Sequence, residues 1–264
     1  MISKMRLLTP PGTNVNYSCA GYIVLGAIVE AVAGCSLHDF ATENIFEPLG
    51  MADTGFFPLD RPLPATACGR VVPTESRSTN PRASAYAAAF TQRGLWLDEW
   101  SARHIAAPGS SIADTACGVV YDDESGWLGG VAGNTGLFST ARDIAAFGRM
   151  WLHEGAGPDE RQVLSGAAVA AAKRCYTSQC SGGDMRGLGW QLPSADKSLG
   201  DWAFPDSFGH AGFTGTGLWI TPSLSLVTVL LTNRLQLSRD CNRMPRLRKL
   251  FNNAVFAEVT ATSI

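Results

Sequence analysis

From Ala20 to Ala33 the chain runs AGYIVLGAIVEAVA, an apolar stretch carrying a single charge, Glu30. It is too short to cross the roughly 30 Å hydrocarbon core of a bilayer, so the expectation is a helix buried inside protein. Tyr22, Leu25, Gly26, Val29 and Ala33 recur at helical spacing, which predicts a helix over about residues 18–33 that stops at Gly34. Ser36 followed by Asp39 reads as a capping box for a second helix carrying Leu37, Phe40, Ile45 and Phe46, ended by Pro48 and Gly50. Such a helical hairpin is stable only if its apolar faces pack on something else.

The last third of the chain has a different period. Segments near 207–215, 216–220 and 224–232 are short, are separated by Gly or by Thr221-Pro222-Ser223, and carry the alternating Val227, Val229 and Leu231. They predict a three-stranded antiparallel meander, followed by a helix from Pro245 to about Thr260 that covers one side of it. Between the two regions, Ser139 or Thr140 caps a helix with Ile144, Phe147 and Trp151 on one face, and Ser165 starts a shorter one to about Lys173. A Gly187-Leu188-Gly189-Trp190 turn follows. Residues 58–125 show poor periodicity and read as long excursions with one helix near 83–90. The fold class is therefore α+β, a mostly helical region with long loops over 1–190 and sheet strands plus a C-terminal helix over 191–264. Three strands are few for 264 residues, and an open sheet edge calls for a partner.

Charge and motif absences narrow the function. A net charge of −2 provides no global positive field for nucleic acid or an anionic membrane surface. Phosphate-binding loops of the G-x-x-x-x-G-K-[ST] and G-x-G-x-x-G kinds are missing, as are H-E-x-x-H and Gly-x-Ser-x-Gly. His38, His104, His153 and His210 are too scattered for a zinc site. Seven cysteines form an odd set, so a secreted disulfide framework is not expected, and Cys175 with Cys180 reads as a reduced pair. The N-terminal MISKMRLLTPPG is not a secretory signal. A cytoplasmic protein is the default, and a periplasmic or secreted one if a signal has been lost from a longer beginning.

Two stretches concentrate chemistry. In Phe208-Gly209-His210-Ala211-Gly212-Phe213-Thr214-Gly215, small residues on an edge strand let a substrate backbone approach while His210 and Thr214 offer polar groups; the plainer reading is a glycine-rich bend. Tyr17-Ser18-Cys19 stands where extended chain turns into helix. A tyrosine acts as a base only if positive neighbours hold its pKa well below about 10; otherwise it is a core residue with a satisfied hydroxyl.

YSCAGYIVLGAIVEAVAGCSLHDFATENIFEPLGMADTGF, GVVYDDESGWLGGVAGNTGLFSTARDIAAFGRM and FGHAGFTGTGLWITPSLSLVTVLLTNR, in this order, resemble signatures of the serine beta-lactamase and penicillin-binding-protein superfamily, in its class C beta-lactamase and esterase branch. The resemblance implies an acyl-transfer hydrolase of partial beta-lactamase-like fold, with the active site between a helical region and a sheet. It implies no metal or organic cofactor, and a small-molecule or short-peptide substrate. Tyr17 matches the motif tyrosine that moves protons to and from the nucleophile. His210, Ala211 and Gly212 match the strand motif written Lys-Thr-Gly in beta-lactamases, and with Thr214 and Cys19 they stand as substrate-binding candidates. Cys19 replaces an Asn common in relatives, while Tyr121 and Asn134 fall where relatives often carry His.

The family's nucleophilic Ser-x-x-Lys belongs before Tyr17, and residues 1–16 contain no such pattern. Of the four lysines, Lys4, Lys173, Lys197 and Lys249, only Ser194-Ala195-Asp196-Lys197 makes a formal match, in a polar stretch without the apolar flanks that lower a lysine's pKa. The expectation is thus a truncated and inactive chain, complemented by another segment or assembled as a homo-oligomer. The rivals are a non-catalytic module binding peptides or cell-wall fragments along the 210–217 strand, and a cysteine hydrolase using Cys19.

Overall fold

The computed structural model describes residues 8–57, 70–74, 118–182, 184–193, 199–236 and 243–261. The expected helix near 83–90 and the Ser194/Lys197 pair lie outside these residues.

Local capping chemistry sets the helices. Helix α1 spans Cys19–Ala33, with Ser18 extended and its hydroxyl accepting from the Gly21 N–H, and Gly34 closing the helix at φ 71°. Helix α2, Leu37–Ala41, runs on into a π-helical turn over Thr42–Phe46. Ser36 and Asp39 form the capping box: Ser36 Oγ accepts from the Asp39 N–H at 3.1 Å and donates to Asp39 Oδ2 at 2.6 Å. Strand β1, Gly55–Phe56, pairs antiparallel with β2, Leu137–Phe138, a two-residue ribbon too short to be foreseen from periodicity. Asp122 caps the short helix α3, Asp123–Trp127, which the poor periodicity of that region concealed. Thr140, one of the two expected caps, starts α4, Ala141–Leu152, and Ser165 starts α5, Gly166–Lys173.

The meander forms in the expected order. Strands β3 (Phe208–Ala211), β4 (Gly217–Thr221) and β5 (Leu226–Leu230) make one antiparallel sheet, with His210 opposite Leu218 and Gly217 opposite Leu230. Helix α4 lies on this sheet, and Gly148 permits the approach because a Cβ there would run into Val227. The core sits between them: Phe46, Met51 and Phe56 from the first half, Met150 and Trp151 of α4, Val169 of α5, and Phe208 and Ile220 of the sheet. Edge-to-face aromatics knit it, with Trp151 and Trp190 centroids 5.0 Å apart and Trp190 and Phe208 5.3 Å apart. The last helix, α6, spans Met244–Ala261. It meets the sheet at the β3–β4 turn, where buried Arg248 donates to the carbonyls of Gly212 and Gly215.

Buried Asp143 ties two distant segments. Its Oδ2 accepts from the Asp53 N–H and the Thr54 hydroxyl, each at 2.8 Å. Replacing it by Ala strands the Asp53 N–H and leaves the Thr54 hydroxyl with Ser139 Oγ, 2.6 Å away, and Asp143→Ala is expected to cost about 1–3 kcal/mol in urea unfolding.

One expectation is corrected. Helix α1 is not a buried helix: Gly26 is its only buried residue, while Leu25 is 53 %, Ile28 51 % and Val32 84 % exposed. The reason is geometric. Among the described residues its one buried position is where Gly26 and Gly133 back onto each other, a Cβ on Gly133 colliding with the Tyr22 carbonyl, and beyond that it meets the following helix through Glu30, which accepts from the Leu37 N–H. Apolar on most of its circumference, it leaves much of that surface exposed.

Candidate active site

Three segments converge below the head of α1. The extended residues before Tyr17 are pinned by a parallel bridge, with the Val15 N–H donating to Ser181 O at 2.8 Å and the Ser181 N–H to Thr13 O at 2.9 Å. Gly182 allows the approach because a Cβ would press on Val15. The Gly187-Leu188-Gly189-Trp190 turn makes a small hairpin whose far arm pairs with β3: the Gln191 N–H donates to Gly209 O at 2.8 Å and the Gly209 N–H to Gln191 O at 3.0 Å. Together they enclose a cavity of about 290 Å³ lined by Tyr17, Arg186, Gln191, His210, Gly212, Phe213 and four further residues that include Arg234 and Arg248.

Of the site residues expected from sequence, Tyr17, His210 and Gly212 share this cavity, whereas Cys19 and Thr214 are not among its lining residues. Tyr17 is 72 % exposed, so it stands at the open rim. The desolvation it does undergo, with Cys19 beside it, raises its phenol above the ordinary value, and Arg186 pulls in the opposite direction. Phenol, not phenolate, is its resting form. Burial lowers the His210 imidazole, and so do Arg186 and Arg248, against the opposing influence of the Ala211 carbonyl and Asp184. His210 is therefore neutral at neutral pH.

The strand glycines are occupied by the protein itself. A Cβ on Gly209 would strike the Leu218 carbonyl and the Trp219 ring, and one on Gly212 would strike the Thr216 hydroxyl. Their absent side chains make room for neighbouring residues of the sheet. Gly212 reaches the cavity through its backbone.

Cys19 is held as a thiol: desolvation raises its pKa, the nearby Glu124 and Asp122 carboxylates add to this, and the Asn134 amide opposes it. That is the reverse of what a cysteine nucleophile requires. Cys19, Cys35, Cys175 and Cys180 are all free thiols. Tyr121, half-buried beside Asp122, has its phenol pushed well above the usual range by desolvation and by that carboxylate, and stacks on Phe213 with ring centroids 5.7 Å apart. This stack joins the α3 segment to the turn after β3. Among the described residues no three His, Cys, Asp or Glu side chains cluster in a way that would hold a metal ion. Nor, among them, is any single helix long and apolar enough to cross a membrane.

Arg186, Gln191, Phe213 and the two further arginines are the residues sequence reading missed. Arg186 had one signal, its place beside the Gly187-Leu188-Gly189-Trp190 turn, but only the pairing of Gln191 with Gly209 reveals where that turn delivers it.

Among known proteins, the chain is similar to a putative D-alanyl-D-alanine carboxypeptidase of Escherichia coli K12, 29% identical over 238 residues that make up 89% of this chain and 48% of that protein. It thus spans about half the length of the curated relatives it matches. In fold it is similar to a beta-lactamase from Mycobacterium bovis, with a TM-score of 0.58 at 20% identity over 97% of this chain and 68% of the other. It is also similar to simvastatin synthase of Aspergillus terreus, with a TM-score of 0.60 at 17% identity over 98% of this chain and 58% of that one. The fold alone follows from these structural likenesses, but the sequence profile of the Beta-lactamase family matches residues 1–252, and by that match the chain belongs to the Beta-lactamase family.

Proposed function

We propose that this chain forms the tyrosine and strand walls of a serine acyl-transfer hydrolase of the class C beta-lactamase and esterase type, which opens an ester, amide, D-amino-acid peptide or beta-lactam through an acyl-enzyme. The observation that carries the reading is the single cavity shared by Tyr17, at the head of the helical region, and by His210 and Gly212 of the strand motif. Tyr17 exchanges protons with the nucleophile and the leaving group, and β3 with its turn holds the substrate. A D-amino-acid peptide is favoured among the substrates by the carboxypeptidase name of the curated relatives.

The 264 residues do not catalyse acyl transfer by themselves. Forming an acyl-enzyme takes an activated nucleophile, a base and oxyanion donors at attack distance, and a Ser-x-x-Lys helix brings all three. None precedes Tyr17 in residues 1–16. The exposed face of α1 supports the same reading. Tyr22, Val24, Leu25, Ile28 and Val32 stand between 39 % and 84 % exposed, and covering the aliphatic ones would gain part of the about 1.5–3 kcal/mol that full burial of such a side chain is worth.

Nitrocefin and p-nitrophenyl ester assays on the chain, on Tyr17→Phe and on Cys19→Ser test the proposal. All three are expected to match the buffer rate. Turnover by the unaltered chain contradicts the need for a further segment, and turnover lost only in Cys19→Ser replaces the serine reading with a cysteine one.

A further inference from the structure

The strand-motif residue that carries a lysine charge in beta-lactamases is His210 here, and the hydrogen bonds around it fix its protonation. Its Nδ1 lies 2.9 Å from the Ala211 carbonyl oxygen, which can only accept, so Nδ1 bears the hydrogen. Its Nε2 lies 3.0 Å from Arg186 Nη1, which can only donate, so Nε2 bears the lone pair. An imidazolium would set N–H against N–H at that contact.

Arg186 is held on every side. Its Nη2 pairs with Asp184 Oδ2 at 2.7 Å. Its backbone N–H donates to Thr177 Oγ1 at 2.8 Å, and that hydroxyl donates to Asp184 O at 2.7 Å, closing the loop that presents both side chains. Arg186 bridges to Gln191, and Gln191 pairs with Gly209, so the register of the small hairpin brings the guanidinium to the residue after Gly209. The charged and titratable groups around His210 are then Tyr17 from the head of α1, Asp184 and Arg186 from the hairpin, Arg234 after β5, and Arg248 from α6.

We propose that Arg186, rather than His210, supplies the positive charge at the strand-motif position of this cleft, beside the further arginines Arg234 and Arg248 of its lining, and that His210 is a positioning residue, a neutral Nδ1–H imidazole that orients the guanidinium. The assignment to catalysis rests on the acyl-transfer reading above; the charge arrangement does not. Its consequence is chemical. A guanidinium keeps its proton at any working pH, so Arg186 supplies a constant field for a developing phenolate or oxyanion and takes no part in proton transfer. Protonating His210 would break the contact that aims it.

Long-range ¹⁵N–¹H NMR of the histidine-labelled chain between about pH 5.5 and 8 tests this, with the His210 signals assigned by their loss in His210→Gln. The expected spectrum at neutral pH is that of a neutral ring protonated on Nδ1. In Arg186→Gln, the His210 titration should rise toward the ordinary imidazole value; Arg186→Lys, which restores a cation, should reverse part of that shift. An imidazolium or an Nε2–H tautomer at neutral pH overturns the proposal, as does a His210 titration that ignores Arg186→Gln. If that variant does not fold, the tautomer in the unaltered chain decides alone. No reading here involves turnover, so an inactive or an active chain leaves this test intact.

Discussion

Fused ahead of Met1, a segment carrying Ser-x-x-Lys at the start of an apolar helix is expected to raise p-nitrophenyl ester turnover by about 10³-fold or more over the chain alone. The size follows from what is added. A positioned general base contributes about 10²–10⁴-fold, and a single oxyanion donor about 10²–10³-fold. The gain should depend on Tyr17, with Tyr17→Phe in the fusion losing about 10²-fold or more. It should also depend on α1. A charge placed at Ile28 in the exposed face leaves the chain alone unharmed, because that position is already half open to water, but it blocks the seat of the added helix. A fusion that hydrolyses ester equally well with Ile28→Glu would mean that the added helix docks elsewhere.

The second large effect is expected at Gly133. A side chain there meets the Tyr22 carbonyl, which is backbone and cannot swing aside, and α1 has no other buried residue than Gly26 to hold it in place. Gly133→Val should therefore cost about 3 kcal/mol, the upper end of ordinary overpacking. The damage should be local: α4, α5 and the three-stranded sheet bury their aromatic core without α1. Hydrogen exchange should show amides 19–33 losing protection while those of β3 to β5 keep theirs. Uniform loss across the chain would contradict this account of how α1 is attached.

How legible was this molecule in its sequence? Where a structure is fixed by neighbours along the chain, the reading was close. Ser36, Thr140 and Ser165 each cap the helix that follows them, because an N-cap is a contact across three residues. The meander followed from alternation at Val227 and Val229 and from the Thr221-Pro222-Ser223 turn. The β1–β2 ribbon was hidden, since Gly55–Phe56 finds Leu137–Phe138 across a separation that no periodicity records. Burial failed for α1 because composition reports what a helix needs, whereas exposure reports what surrounds it.

The site divides along the same line. Tyr17 and His210 were visible as motif positions, and the cavity brings them together. Arg186 was not, since its place depends on a hairpin docking beside β3 through Gln191 and Gly209. Cys19 is only two residues from Tyr17 in sequence, yet it lies outside the cavity lining: the turn into α1 sends successive side chains in different directions. Thr214, two residues beyond Gly212, likewise lies outside the cavity lining, its carbonyl accepting from the Arg234 N–H.

The central claim is that these 264 residues hold the walls of an acyl-transfer site but no group that accepts the acyl unit. Intact-mass spectrometry after incubation with benzylpenicillin, and separately with a fluorophosphonate, tests it most directly. The account predicts an unchanged mass with both reagents for the chain alone, and an adduct on the added serine in the fusion. A stoichiometric adduct on the chain alone, mapped to Ser194 or to any other of its residues, would contradict it.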